Sequence, residues 1–186
     1  MSGLEQTPES LPEPKDDGAA DHLTGIGIPN VVLSGTNGTA DLGALPGTAV
    51  LYCYPMTGTP GVALPEGWDK IPGARGCTPQ SCAFRDHVTE LTGAGADHVH
   101  GISTQSVDEL REARERLELP YALLSDEHGT FAAALRLPTM EVDGRTMLKR
   151  LTMIVRGGTI VKVFYPVYPP GRNAADVLHW LEANPA

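Results

Sequence analysis

Residues 48–55 read Thr48-Ala49-Val50-Leu51-Tyr52-Cys53-Tyr54-Pro55, and residues 76–82 read Gly76-Cys77-Thr78-Pro79-Gln80-Ser81-Cys82. The first stretch is a short, unbroken apolar run, the pattern of a strand buried on both faces; Pro55 ends it. The second opens a helix, with Thr78 as a candidate N-cap and Pro79 suited to the first turn. Phe84, Val88 and Leu91 then recur at helical spacing, and Gly93 closes the element. Between strand and helix runs a long segment, 56–76, broken by proline and glycine. Structureless loops of that length are usually functional.

Outward from this centre, Val31-Val32-Leu33 and Thr39-Ala40-Asp41-Leu42 flank Gly35-Thr36-Asn37-Gly38, whose Asn-Gly pair is a hairpin signal. Asp97 to Ile102 reads as a second strand. Ser106 to Leu117 reads as a helix with a capping box, Ser106 three residues before Glu109. Tyr121 to Leu124 is a third short strand, and Glu127 to Leu135 a short helix. Lys149 to Val155 and Thr159 to Phe164, joined through Gly157-Gly158, form an antiparallel hairpin. Asn173 caps a last helix carrying Val177, Leu178 and Leu181. This order predicts an α/β protein: a central mixed β-sheet flanked by helices, with an N-terminal β-hairpin, as in the thioredoxin-like fold.

The chain has 186 residues, 41% hydrophobic and 20% charged, which fits one globular domain. Its formal net charge is -9. An acidic balance repels phosphate backbones and anionic membrane surfaces, so neither nucleic acid nor membrane is an expected partner. No apolar run approaches a membrane span, and residues 1–22 lack the apolar core of a secretory signal; a cytoplasmic location is expected. Residues 1–22 hold six acids against the single base Lys15, together with Pro8, Pro12 and Pro14. That composition predicts a disordered acidic, proline-rich tail, with residues 23–186 forming the folded domain.

Three cysteines, Cys53, Cys77 and Cys82, are too few and too odd in number for a secreted disulfide scaffold. Cys53 lies in the buried strand and reads as a small core hydrophobe. Cys77 sits at a helix entrance, where unpaired N–H groups and the helix dipole favour a thiolate, the reactive form. Cys82 lies a turn deeper. Five residues of intact helix put ~7.5 Å of axial rise between the two, and a disulfide cannot close over that separation without local unwinding. The spacing suits a redox cycle better than a permanent staple. The metal reading, with His87, His98 and His100 beside the cysteines, is weak, because the cysteine spacing differs from that of structural zinc sites; no metal and no organic cofactor is expected.

The run Cys77-Thr78-…-Cys82-Ala83-Phe84-Arg85-Asp86, with Val50 to Pro55 and Thr59-Pro60-Gly61 before it, resembles the peroxiredoxins of the bacterioferritin-comigratory or Q type. The resemblance continues through Gly101-Ile102-Ser103, Leu124-Ser125-Asp126 and Arg150 to Val155, covering most of residues 25–185. It implies a thiol-dependent peroxidase acting on hydrogen peroxide and organic hydroperoxides. Cys77 would be the peroxidatic residue and Cys82 the resolving one, closing an intramolecular disulfide that thioredoxin or a similar dithiol reductant reopens. Arg150 matches the family's active-site arginine. Thr59 would help hold the peroxide, and Pro55 would shelter the site from water. The resemblance also implies a monomer or homodimer. A redox-sensing binding protein, using the same cysteine pair without efficient turnover, is the alternative reading.

The chain departs from the family pattern at one place. Fifteen residues, Val62 to Gly76, separate Thr59-Pro60-Gly61 from Cys77, where the family has none. Either this insertion loops out and returns Cys77 to its place beside Thr59, or Pro72 and nearby loop residues replace the usual supports. The first arrangement is the expectation.

Overall fold

Side chains alternate across a strand, so Ala49, Leu51 and Cys53 enter one hydrophobic core while Val50, Tyr52 and Tyr54 enter another. All six are buried, which explains why this segment has no polar face in the sequence. The computed structural model describes residues 11–186. In chain order its strands are β1 (Val32–Gly35), β2 (Gly38–Asp41), β3 (Thr48–Cys53), β4 (His98–Ser103), β5 (Leu123–Ser125), β6 (Thr139–Val142), β7 (Arg145–Leu148), β8 (Leu151–Arg156) and β9 (Thr159–Phe164). The helices are α1 (Cys77–Asp86), α2 (Val88–Gly93), α3 (Val107–Arg116), α4 (Thr130–Leu135) and α5 (Asn173–Ala183).

Seven strands form one mixed sheet in the order β2-β1-β5-β4-β3-β8-β9. Strands β3, β4 and β5 run parallel, and β8 pairs antiparallel with both β3 and β9. The α/β, thioredoxin-like architecture and its N-terminal hairpin are therefore present as the sequence predicts. Tyr52 reaches across to α1, its ring stacked on Phe84 at 4.5 Å with 10° between planes. Gly101 of β4 makes room for it: a Cβ there would lie 2.6 Å from the Tyr52 hydroxyl. The Ser106 capping box also forms, with the Ser106 amide donating to Glu109 Oε2 at 2.8 Å.

Several expectations differ from the fold. Cys77 itself opens α1, after Gly76 in the left-handed region at φ 106°; Thr78 is buried in the first turn and caps nothing. The helix expected to run to Gly93 breaks at His87 into α1 and α2. Arg172, not Asn173, precedes α5, and the Asn173 side chain is buried instead. The hairpin β6–β7, turning through Asp143-Gly144, is an element beyond those the sequence predicts. It packs on the insertion: Trp68, Ala74, Val142 and Met147 share a small third core.

The tail prediction divides. Its residues 1–10 lie outside the described residues. Residues 11–22 rest on the body: the Asp17 carboxylate accepts from Lys149 Nζ and the Tyr165 hydroxyl, each at 2.7 Å. Ala20 is buried, and His22 Nε2 donates to the Leu135 carbonyl at 2.8 Å. Composition alone predicts too little apolar burial for order; these polar anchors come from distant parts of the chain. Among the described residues, no helix is long and apolar enough to cross a membrane.

Candidate active site

Glycine is required before Cys77 for two reasons. Its φ of 106° is one that side chains rarely adopt, and a Cβ on Gly76 would lie 2.4 Å from Pro170 Cγ. The turn delivers Cys77 to the first helical position, the residue 3% exposed and buried against the second core. At that position the first-turn amides lack helical partners, and the positive end of the helix dipole faces the thiol.

Arg150 meets it from the connection between β7 and β8. Arg150 is 3% exposed, and its Nη2 donates to Cys77 Sγ at 3.1 Å. The same Nη2 lies 3.2 Å from each of the Gly73, Ala74 and Arg75 carbonyls. Two hydrogens thus serve four acceptors, in shared bonds that seat the group firmly. The Cys77 thiol also lies 3.6 Å from the Ala74 carbonyl, as donor. The guanidinium thus holds a fixed positive charge 3.1 Å from the sulfur.

The other side of the guanidinium is held by residues that the sequence reading passed over. Arg150 Nη1 donates to Gln80 Oε1, and Gln80 Nε2 donates to Asn173 Oδ1 at 2.9 Å. Thr152 Oγ1 donates to the same Asn173 oxygen at 2.6 Å. Gln80, Asn173 and Thr152 are all buried, so this chain of bonds ties α1, α5 and β8 together behind the sulfur. The sequence carries no local signal for this chain of bonds, because Gln80 and Asn173 are 93 residues apart. Arg150 Nε has no hydrogen-bond partner among the described residues.

Cys82 lies on the next turn of α1, half-buried, and the three cysteines carry no disulfide. The turn between the two is latched to the sheet. Tyr52 donates its hydroxyl to Ser81 Oγ at 3.1 Å, Tyr121 donates to the Ser81 carbonyl at 2.9 Å, and the two phenols lie 3.0 Å apart. Burial pushes both phenols up from their ordinary value, so they act as neutral donors. Burial likewise pushes the Cys53 thiol far up, in keeping with a core role.

The hydrogen bonds around Thr59 and Pro55 run to other partners. The Thr57 amide and hydroxyl donate to Gln105 Oε1, and Arg116 donates to the Gly58 carbonyl at 2.9 Å. These bonds draw the segment toward α3, and Thr59 lines a cavity beside Gln105 and Arg145. Pro55 is buried, its carbonyl accepting from Ser103 Oγ at 2.9 Å. No hydrogen bond at Cys77 or Arg150 among the described residues comes from either. The insertion supplies the carbonyls of residues 73–75 around Arg150, a support of the kind the second arrangement describes. A separate cavity of about 250 Å³ opens at Arg150, with Pro72 and Gly73 in its wall. Arg85 and Asp86 pair at 2.8 Å at the surface, consistent with a structural role.

Comparison with known proteins shows the family. The Redoxin family profile matches residues 24–178. A peroxiredoxin Q, chloroplastic, from Suaeda salsa is 28% identical over 134 residues, 72% of this chain and 55% of that protein. The chain therefore spans little more than half the length of that curated relative. The crystal structure of peroxidoxin BcpB from Mycobacterium tuberculosis superposes with a TM-score of 0.70 at 27% identity, covering 89% of this chain and 100% of the other. A bacterioferritin comigratory protein from Xanthomonas campestris, studied for alkyl peroxide reduction, shares the fold at a TM-score of 0.64 and 20% identity, covering 94% and 98%. The chain belongs to the Redoxin family and, within it, to the peroxiredoxins of the bacterioferritin-comigratory or Q type.

Proposed function

We propose that this chain is a thiol peroxidase for hydrogen peroxide and organic hydroperoxides, working through Cys77, Cys82 and Arg150. The observation that carries the reading is the buried Arg150 guanidinium donating to Cys77 Sγ at 3.1 Å, at the first position of a helix. The Cys77 thiolate attacks the nearer peroxide oxygen; the O–O bond breaks and the departing oxygen takes a proton to leave as water or an alcohol. Sulfur is oxidised to the sulfenic acid and the peroxide is reduced. Charge builds on the departing oxygen, where Arg150 and the first-turn amides stabilise it. The Cys82 thiol then attacks the sulfenic sulfur, water leaves, and the Cys77–Cys82 disulfide forms. That step needs the α1 turn between them to open. A thioredoxin-like dithiol restores both thiols by exchange and becomes a disulfide itself.

The test is steady-state peroxide consumption by the wild type, C77S and C82S with a thioredoxin system. The wild type turns over, C77S does not, and C82S reacts once without recycling efficiently. Stoichiometric oxidation of the wild type with no turnover would contradict the enzyme reading and favour a redox sensor.

A further inference from the structure

We infer that residues 14–17, from the segment whose composition predicts disorder, form a specificity-determining wall of the cavity at Arg150 and hold the organic part of a hydroperoxide there. The inference rests on the peroxidase reading above. The cavity, about 250 Å³, is far larger than the ~10–15 Å³ that admits one water, so a peroxide lacking an organic group has no use for most of it. Its walls are largely apolar: Pro14, Ile71 and Pro72 of the insertion, Met140 and Pro166 line it around Arg150. A carbon-bearing substituent placed there would lie beside the guanidinium that holds Cys77.

Residues 14–17 stay in place because Asp17 bridges two residues of the same cavity. Its carboxylate accepts from Lys149 Nζ at 2.7 Å and from the Tyr165 hydroxyl at 2.7 Å, and both partners line the cavity with Pro14. Those bonds hold the Asp17 carboxyl well below the usual carboxylate range, the Lys149 bond contributing most. Upstream, the Tyr168 hydroxyl donates to the Leu11 carbonyl at 3.4 Å. Pro14 also lies against Gly73, where a Cβ would be 3.5 Å from Pro14 Cβ. The N-terminal segment thus packs against the insertion at the cavity, and Gly73 is one of the residues whose carbonyl seats Arg150.

The experiment compares full-length wild type, D17A and P14W in kcat/KM for cumene hydroperoxide and for hydrogen peroxide, with dithiothreitol as reductant. The readout is the ratio of the two values. D17A frees the wall, and the ratio falls roughly 4- to 16-fold, the loss of one to two methylenes' worth of apolar contact at ~0.8 kcal/mol each. P14W fills the cavity from the partly exposed segment, and the ratio falls further. Circular dichroism confirms that both variants keep the fold. A wild-type ratio in both variants overturns the assignment of the wall while leaving the peroxidase reading intact. A wild type that consumes neither peroxide overturns both.

Discussion

Replacing Gln80 with Leu probes the buried chain of bonds behind the reactive sulfur. Leu has nearly the volume of Gln, so little cavity opens. Two interactions go: the charge-assisted bond from Arg150 Nη1 and the neutral bond to Asn173 Oδ1 at 2.9 Å. Hydrogen bonds to charged groups contribute about 1.5–3 kcal/mol and neutral ones about 1 kcal/mol, so Q80L should lose roughly 2.5–4 kcal/mol of stability. The effect on chemistry is smaller. Arg150 Nη2, the nitrogen at the sulfur, keeps its three carbonyls, and the single-turnover rate of Cys77 with peroxide should fall only about 10-fold, or ~1.4 kcal/mol. R150K, whose single ammonium cannot fill both guanidinium positions, should lose about 10²- to 10³-fold. The assays are urea unfolding and stopped-flow oxidation at matched pH. A Q80L protein within 1 kcal/mol of wild type, or one losing as much rate as R150K, would refute the reasoning.

Other consequences follow from neighbouring groups. Y121F removes the hydroxyl that donates to the Ser81 carbonyl at 2.9 Å; stability should drop by about 1 kcal/mol, while the disulfide step, followed by quenched-flow thiol counting, should run faster because the α1 turn opens more readily. Cys53 is fully buried, with its thiol pushed far up by that burial. Alkylation of the native protein with iodoacetamide at neutral pH, mapped by mass spectrometry, should therefore spare Cys53 and modify it once the chain unfolds. Burial lowers the pKa of His100 below the ordinary 6.5, so the unfolded chain takes up that proton first. Above 6.5 the group leaves stability unchanged; as pH falls below it, stability declines until the folded value is passed. H100Q should flatten this acid limb in unfolding measured between pH 7 and pH 4.

Local signals in the sequence were reliable where one short stretch contains the whole cause. The Asn37-Gly38 signal marks the β1–β2 hairpin, whose turn residues are Thr36 and Asn37 with Gly38 opening β2, and Ser106 with Glu109 closes its capping box. The apolar run of β3 revealed a strand buried on both faces, and the Cys77–Arg150 pairing followed from a family pattern. What stayed hidden depends on partners distant in sequence. Gln80 and Asn173 are 93 residues apart, and nothing local marks either as buried. Asn173 carries the residue type of a helix cap, yet its side chain turns inward to Gln80 and Thr152. Asp17 meets Lys149 and Tyr165 across 132 and 148 residues, so a composition suited to disorder hid an ordered wall. Thr59 lies in a stretch whose bonds are likewise long-range. Its neighbours Thr57 and Gly58 bond to Gln105 and Arg116, whereas the insertion provides the carbonyls around Arg150.

The central claim, that Arg150 and the helix start make Cys77 the sulfur that meets peroxide, is tested most directly by one equivalent of hydrogen peroxide added to reduced protein with dimedone present, followed by peptide mass spectrometry. The account predicts a sulfenic-acid adduct on Cys77 in C82S, and a Cys77–Cys82 disulfide in the wild type when the trap is omitted. An adduct on Cys82 or Cys53 in place of Cys77, or no oxidation of Cys77 at all, would contradict it.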